Sequence, residues 1–233
     1  MNQLPATYRA IFSDAAGNNE RMAFVYNSTR VTLLEKIGEI AMAPSMLKHI
    51  ALPGIEQKFE GFDRTPYLAS FQCGAFKFCL VNVHLYYGSF TSKAESAISM
   101  NRRTLETFAV ARWAKLRRDS PTAYLRDIVV VGDFNLPIKA PDDPVFTALT
   151  KTGLRLPSHT SQVGSNLEGD QYYDQIGFFP DRSDADFSGE VNVFDFDGAV
   201  FKGLWDTRNE KDFRAYVRYY LSDHRPIWAE FKV

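Results

Sequence analysis

Ile128-Val129-Val130-Val131-Gly132-Asp133-Phe134-Asn135 is the stretch on which the fold turns. Four β-branched apolar residues in a row cannot alternate a dry face with a wet one. They specify a short strand covered on both sides, of the kind that fills the middle of an α/β sheet. Gly132 closes the run and allows a neighbouring backbone to come close. In extended chain Asp133 and Asn135 then project to one side, while Phe134 turns back into the core. The carboxyl end of such a strand is where α/β sheets build sites. A carboxylate and an amide there could bind a hard cation and orient a water; equally, they could close a turn on local backbone.

Outward from this strand, Tyr67 to Phe71 and Phe76 to Leu85 read as two more, with Gly74 as the turn residue between them. The second is mostly apolar on both sides and carries His84 near its end. Tyr172 to Phe179 is a further strand with Asp174 inside it. A carboxylate there is costly to bury unpaired and needs a cation or a His, for which His224 is the natural candidate. The final strand, Ile227 to Phe231, follows Ser222-Asp223-His224-Arg225-Pro226, which sets a hard anion beside an imidazole. Near the start, Arg21 to Tyr26 and Val31 to Ile40 flank the polar Asn27-Ser28-Thr29-Arg30 and read as a hairpin. Residues 95–118 have helical periodicity, with Leu105, Phe108, Ala109, Trp113 and Leu116 on one stripe. Arg102, Arg103, Arg112, Lys115, Arg117 and Arg118 fall mostly elsewhere and read as a solvated face. Asp142-Asp143-Pro144 opens a short helix that Gly153 closes. Between residues 181 and 223 the pattern is weak and polar, giving loops with one short helix near 206–219. Strands alternating with helices, plus hairpins, make a mixed α/β fold.

A chain of 233 residues, 45% hydrophobic and 14% aromatic, suffices for one large domain with a sizeable core. Its net charge of −1 supplies no overall positive field, which counts against a nonspecific DNA coater but not against a local basic groove. Cys73 and Cys79 would share a face of one straight strand but lie roughly 20 Å apart along it, so both read as buried thiols. No apolar run is long enough to span a membrane. Met1-Asn2-Gln3-Leu4-Pro5 is neither a signal nor a transit peptide, so the chain as given reads as cytoplasmic. Nothing in the sequence gives an oligomeric state.

A histidine bonded to a carbonyl would account for His84 alone. Polar residues at the ends of four separate apolar strands are harder to explain as packing. In order, Asn82-Val83-His84-Leu85, Gly132-Asp133-Phe134-Asn135, Tyr173-Asp174-Gln175-Ile176 and Ser222-Asp223-His224 resemble the endonuclease/exonuclease/phosphatase superfamily. Within it the chain is most similar to the deoxyribonuclease I branch: Asn18-Asn19-Glu20-Arg21-Met22-Ala23-Phe24 resembles that branch's Glu-Arg segment. A His at position 84 agrees, where the apurinic endonuclease branch carries a Tyr. The resemblance runs from about residue 8 to the C-terminus.

It implies a four-layer sandwich, with two mixed sheets face to face and helices outside, and divalent-metal-dependent cleavage of a phosphate ester. Carried over, His224 held by Asp174 and His84 held by Glu20 flank the scissile phosphate, each imidazole made more basic by its carboxylate. Asp133 and Asn135 orient the attacking water or the phosphate. Asp223, with Asp133, serves a Mg²⁺ or Mn²⁺ site, and Arg64 matches a phosphate-contacting arginine. The expected substrate is DNA; the alternatives are small phosphate esters or, with no catalysis, a binding module.

The family begins with two strands that come before anything seen here. The first carries an Asn, and the second ends in a Gln-Glu pair whose Glu is the principal magnesium ligand. Glu20 matches another position, and Glu35 and Glu39 lack the Gln-Glu context. The expectations are poor metal affinity, and apolar surface left uncovered or a strand edge left unpaired. A fragment or shortened gene model would explain the difference, and an upstream leader would then make secretion possible.

Overall fold

In chain order the elements are β1 (Tyr8–Phe12), β2 (Ala23–Asn27), β3 (Thr32–Glu39), α1 (Pro44–Leu47), β4 (Tyr67–Cys73), β5 (Phe76–His84), α2 (Lys93–Asp119), β6 (Ile128–Asp133), α3 (Pro144–Thr150), β7 (Asp174–Phe178), α4 (Pro180–Ser183), β8 (Phe187–Val193), α5 (Phe196–Ala199), α6 (Lys202–Thr207), α7 (Glu210–Tyr220) and β9 (Ile227–Phe231). This computed structural model describes residues 4–136, 139–159, 161 and 163–233. Met1-Asn2-Gln3, which the sequence set against a leader peptide, lies outside the described residues.

The all-apolar β6 is interior, as its composition requires. A five-stranded mixed sheet runs β3-β4-β5-β6-β7, with β5 and β6 parallel and every other pair antiparallel. Parallel neighbours need a long crossover, and α2 provides it. Ser92 caps this helix by accepting from the Glu95 N–H. Alternation along β5 divides the core. Cys79, Val81, Val83 and Leu85 face Val110, Ala111 and Ala114 of α2, together with Ile128 and Val130 of β6. Phe78 and Leu80 face the other way.

That second face is covered by two antiparallel pairs, β1-β2 and β8-β9. Phe24 of β2 stacks on Tyr67 of β4, with ring centroids 5.2 Å apart, and Phe231 of β9 meets Phe76 and Phe178. The architecture is therefore α/β with sheets packed face to face and helices outside. The second layer consists of two separate two-stranded pairs. Between the five-stranded sheet and β9 lies an apolar cavity of about 250 Å³, lined by Phe78, Leu80, Val129, Val131, Ile176, Ile227 and Ala229 among others.

Several local expectations need correction. β2 and β3 are not a hairpin: β2 pairs with β1, and β3 with β4. The turn at Asn27–Val31 carries the chain from one layer to the other, because Phe24 and Tyr26 pack onto β4 from across the core. The polar stretch after residue 181 contains β8, whose pairing with β9 shifts register between Phe187 and Val191, around Gly189. Three helices follow it where one was expected. Cys73 and Cys79 sit on two arms of a hairpin, both free; Cys79 is buried but Cys73 only half so. Arg103 is not on a solvated face: it is 2% exposed. No helix among the described residues is long and apolar enough to cross a membrane.

Candidate active site

Strand register performs the first step of assembly. His84 is the register partner of Asp133 across the parallel β5–β6 pair, and Asp133 is the partner of Asp174 across β6–β7. Neighbouring strands stand about 4.8 Å apart, so the three polar side chains form one row. They share the face opposite α2. Gly132 makes the row possible: at φ +131°, a Cβ there would lie 2.1 Å from the Val83 carbonyl oxygen.

Loops bring the remaining groups. Glu20, from the turn between β1 and β2, places Oε2 3.1 Å from His84 Nδ1. The same oxygen lies 2.5 Å from Nε of Arg64, whose second partner is Asp63 at 3.2 Å. Arg64 is buried, with its guanidinium taken up by these two carboxylates. His224 precedes β9 and sets Nδ1 2.7 Å from Asp174 Oδ2. Its loop is tied to the segment before β7, where Leu167 N–H donates to the Asp223 carbonyl and Arg225 N–H to that of Ser165. Asn166 winds that segment, its Oδ1 accepting from the N–H groups of Gly169, Asp170 and Gln171.

Asp133 accepts from the Asn135 N–H at 2.7 Å and turns Oδ2 to within 3.6 Å of His84 Nε2. Asn135 holds φ +50°, a left-handed conformation that Asn tolerates better than most residues. Its amide nitrogen donates one N–H to the Leu85 carbonyl at 2.7 Å, which leaves its second N–H and the side-chain oxygen for other partners.

A cavity of about 320 Å³ gathers His84, Asp133, Asn135, Asp223 and His224, with Tyr87, Asn166, Glu168, Tyr173 and Arg218. Glu20, Asp174 and Arg64 stand behind the imidazoles they serve. His84, Asp133, Asn135, Asp223 and His224 are thus in the cavity wall, Glu20 and Asp174 are one contact behind it, and Arg64 is behind Glu20. Asn166, Glu168, Arg218, Tyr87 and Tyr173 were missed. Asn166-Leu167-Glu168-Gly169-Asp170 carried only a turn signal, and the tyrosines read as strand or core aromatics.

The two imidazoles carry different charge. The hydrogen bond to Asp174 pushes His224 up to about 9, against the opposing pull of burial, and the charges of Asp133 and Asp223 add to it. His84 moves the other way. Burial and the positive charge of Arg64 hold it below its usual range, outweighing Glu20. Each carboxylate thus favours the charged form of its imidazole; at His224 that influence prevails, and at His84 burial and Arg64 outweigh it. Burial, then the neighbouring Asp174 charge, pushes Asp133 up to about 6. Near neutrality the cavity presents one imidazolium, one neutral imidazole and one reluctant carboxylate. Groups pushed apart in this way suit opposite halves of a proton transfer.

Asp133, Asp174 and His224 bring one ligand atom each within 4.8 Å of one another. The Asp174–His224 hydrogen bond already engages two of them. The hard oxygen donors facing the cavity are Asp133, Glu168 and the exposed Asp223. Asp133 and Asp223 on one wall are hard donors of the kind a divalent ion takes, while Glu168 beside them is engaged by Arg218, whose guanidinium lies 2.7 Å from its Oε1.

No protein-family model matches the sequence, and no curated protein matches it. Solved structures do share its fold. An endonuclease/exonuclease/phosphatase family protein from Bacteroides thetaiotaomicron aligns at TM-score 0.55 and 15% identity over 97% of this chain and 73% of that one. The mannosyl-6-phosphatase Bt3783 of the same organism aligns at TM-score 0.55 and 15% identity over 98% and 78%. D. rerio TDP2, complexed with a single-strand DNA product, aligns at 0.53 and 12% over 97% and 78%. The chain has the fold of the endonuclease/exonuclease/phosphatase proteins.

Proposed function

We propose that this protein, read as one domain over residues 1–233, is a divalent-metal-dependent phosphodiesterase of the deoxyribonuclease I-like branch that hydrolyses DNA. One observation carries the reading. Two imidazoles, each held by its own carboxylate, share a cavity with Asp133 between them.

With Nδ1 committed to Glu20, neutral His84 turns Nε2 toward Asp133. A water between that nitrogen and Asp133 Oδ2 can donate one hydrogen to each, which leaves a lone pair for phosphorus. The second amide N–H of Asn135 can donate to that water or to the phosphate. His224, charged because of Asp174, balances negative charge on the phosphoryl oxygens and returns a proton to the leaving oxygen. Arg64 acts through Glu20 and His84, setting their charge balance. A Mg²⁺ or Mn²⁺ ion held by Asp133 and Asp223, with Glu168 beside them, would supply further charge neutralisation at the phosphoryl group when bound.

The test is nicking of supercoiled plasmid and cutting of a single-stranded oligonucleotide, each with Mg²⁺ and with EDTA. Cutting that EDTA abolishes supports the reading. The fold similarity to a mannosyl-6-phosphatase motivates a second reading, a phosphatase of small esters. Release of inorganic phosphate from a sugar phosphate, with both DNA substrates left intact, would establish that reading instead. No turnover of any of the three would favour a noncatalytic binding module.

A further inference from the structure

Beside the imidazoles stand three aromatic rings that the chemistry above does not use. Tyr87 and Phe90, on the loop between β5 and α2, have centroids 5.0 Å apart at 61°. Tyr87 and Tyr173 lie 6.1 Å apart at 75°, and Tyr173 is 6.0 Å from the His224 ring. Tyr87 is 46% exposed and Phe90 44%. Aromatic faces left toward water forgo the burial that usually stabilises them. Here a buried charge keeps them in place. The Arg103 guanidinium lies 4.9 Å from the Tyr87 ring and 5.5 Å from that of Phe90. Its N–H groups donate to the carbonyls of Tyr86 at 3.1 Å, Tyr87 at 2.5 Å and Asn135 at 2.9 Å. Further along the loop, Ser89 N–H donates to Ser99 Oγ and Ser99 Oγ to the Ser89 carbonyl, both at 3.0 Å. The rings are therefore fixed, exposed, and tied through Asn135 to the cavity that holds the imidazoles.

We propose that Tyr87 and Phe90 form a stacking platform for an unpaired nucleobase next to the phosphate held at His84 and His224, so that the ligand is single-stranded nucleic acid. The inference rests on the phosphodiesterase reading and names the form of its substrate. Every base has a π-face, so stacking on such rings tolerates sequence. The angled rings let a flat heterocycle lie on one and meet the edge of the next. A sugar would fit less well, because its hydroxyls need hydrogen-bonding partners and the platform offers chiefly ring faces. Bases within a duplex have their faces covered by their neighbours.

Binding decides this independently of turnover. Fluorescence anisotropy in EDTA would compare a labelled ten-residue thymidine oligonucleotide with the same backbone carrying no bases. Base stacking on an aromatic residue is commonly worth about tenfold or more in affinity. We expect the abasic strand to bind about tenfold more weakly to the wild type. Tyr87→Ala should narrow that gap to about twofold, while Tyr87→Phe keeps it. Unlabelled duplex should compete poorly. Equal affinity for the two strands, no measurable binding of the base-bearing strand, or a gap unchanged in Tyr87→Ala would overturn the platform. If DNA is bound in this base-dependent way but never cut, the platform stands and the hydrolytic reading falls. If DNA is cut with no preference for bases, the reverse holds.

Discussion

Nδ1 of His224 lies 2.7 Å from Oδ2 of Asp174, and that contact keeps the ring charged to well above neutral pH. Activity that needs the imidazolium should persist up to about pH 9 and fall above it. The acid limb, set by neutral His84, should lie below that residue's ordinary value near pH 6.5. Asp174→Asn should draw the alkaline limb down toward neutral, and His224→Ala should cut kcat at least about a hundredfold. Stability follows the same sign. A raised folded pKa makes the pair's contribution complete below the unfolded value near 6.5, and the contribution is lost as pH climbs through about 9. Thermal melts of wild type and Asp174→Asn should therefore converge between pH 7 and 9.5. A gap that widens over that interval would contradict the assignment.

Asp133 presents the opposite case. Its folded pKa is raised to about 6, so ionisation costs stability as pH rises from the ordinary carboxylate range through that value. Asp133→Asn should melt a few degrees higher than wild type at pH 7 while losing at least about a hundredfold in turnover. Mg²⁺ should raise the melting temperature of the wild type more than that of the variant. Equal shifts would remove Asp133 from the metal site.

Arg64 should betray itself through His84. Its charge is the second largest influence holding that imidazole down, after burial. Arg64→Gln should shift the acid limb of the kcat/KM profile to higher pH, whereas loss of a mere phosphate contact would raise KM and leave the limb in place.

Glu106, fully buried on α2, accepts from the Asp63 N–H at 3.0 Å and the Tyr86 N–H at 3.1 Å. Glu106→Ala would strand two backbone donors and should cost about 2–4 kcal/mol in urea unfolding. Glu106→Gln keeps an acceptor for one of the two donors and turns its NH2 toward the other, so it should recover only about half of that loss. Equal losses in the two would show that the acceptor is not what matters.

Most of the site could be read from the chain because its residues lie at the ends of strongly apolar strands. The Ile128–Val131 run announces an interior strand, and Asp133 and Asn135 follow from its end. Asp174 is conspicuous as a charge within an apolar segment, and His224 as a neighbour of the last strand. Other features depend on long-range partners. Nothing local shows that Phe24 and Tyr26 will cross the core to β4 instead of pairing with the adjacent β3. Arg103 has the composition of a wet helix face; only the carbonyls of Tyr86, Tyr87 and Asn135 make its burial tolerable. β8 hides because its apolar residues are few and Gly189 interrupts them. The low basicity of His84 required knowing how deeply the fold buries it and that Arg64, remote in sequence, shares its carboxylate.

His84, Asp133 and Asp174 occupy a single rung across β5, β6 and β7. Side chains alternate along a strand, so a slip of one residue in any of the three would rotate its polar member into the hydrocarbon packed beneath α2. A misaligned sheet would have to bury a charge, and it would have no chemistry either. Correct alignment and assembly of the cavity's polar row therefore arise together, with no half-built site between them.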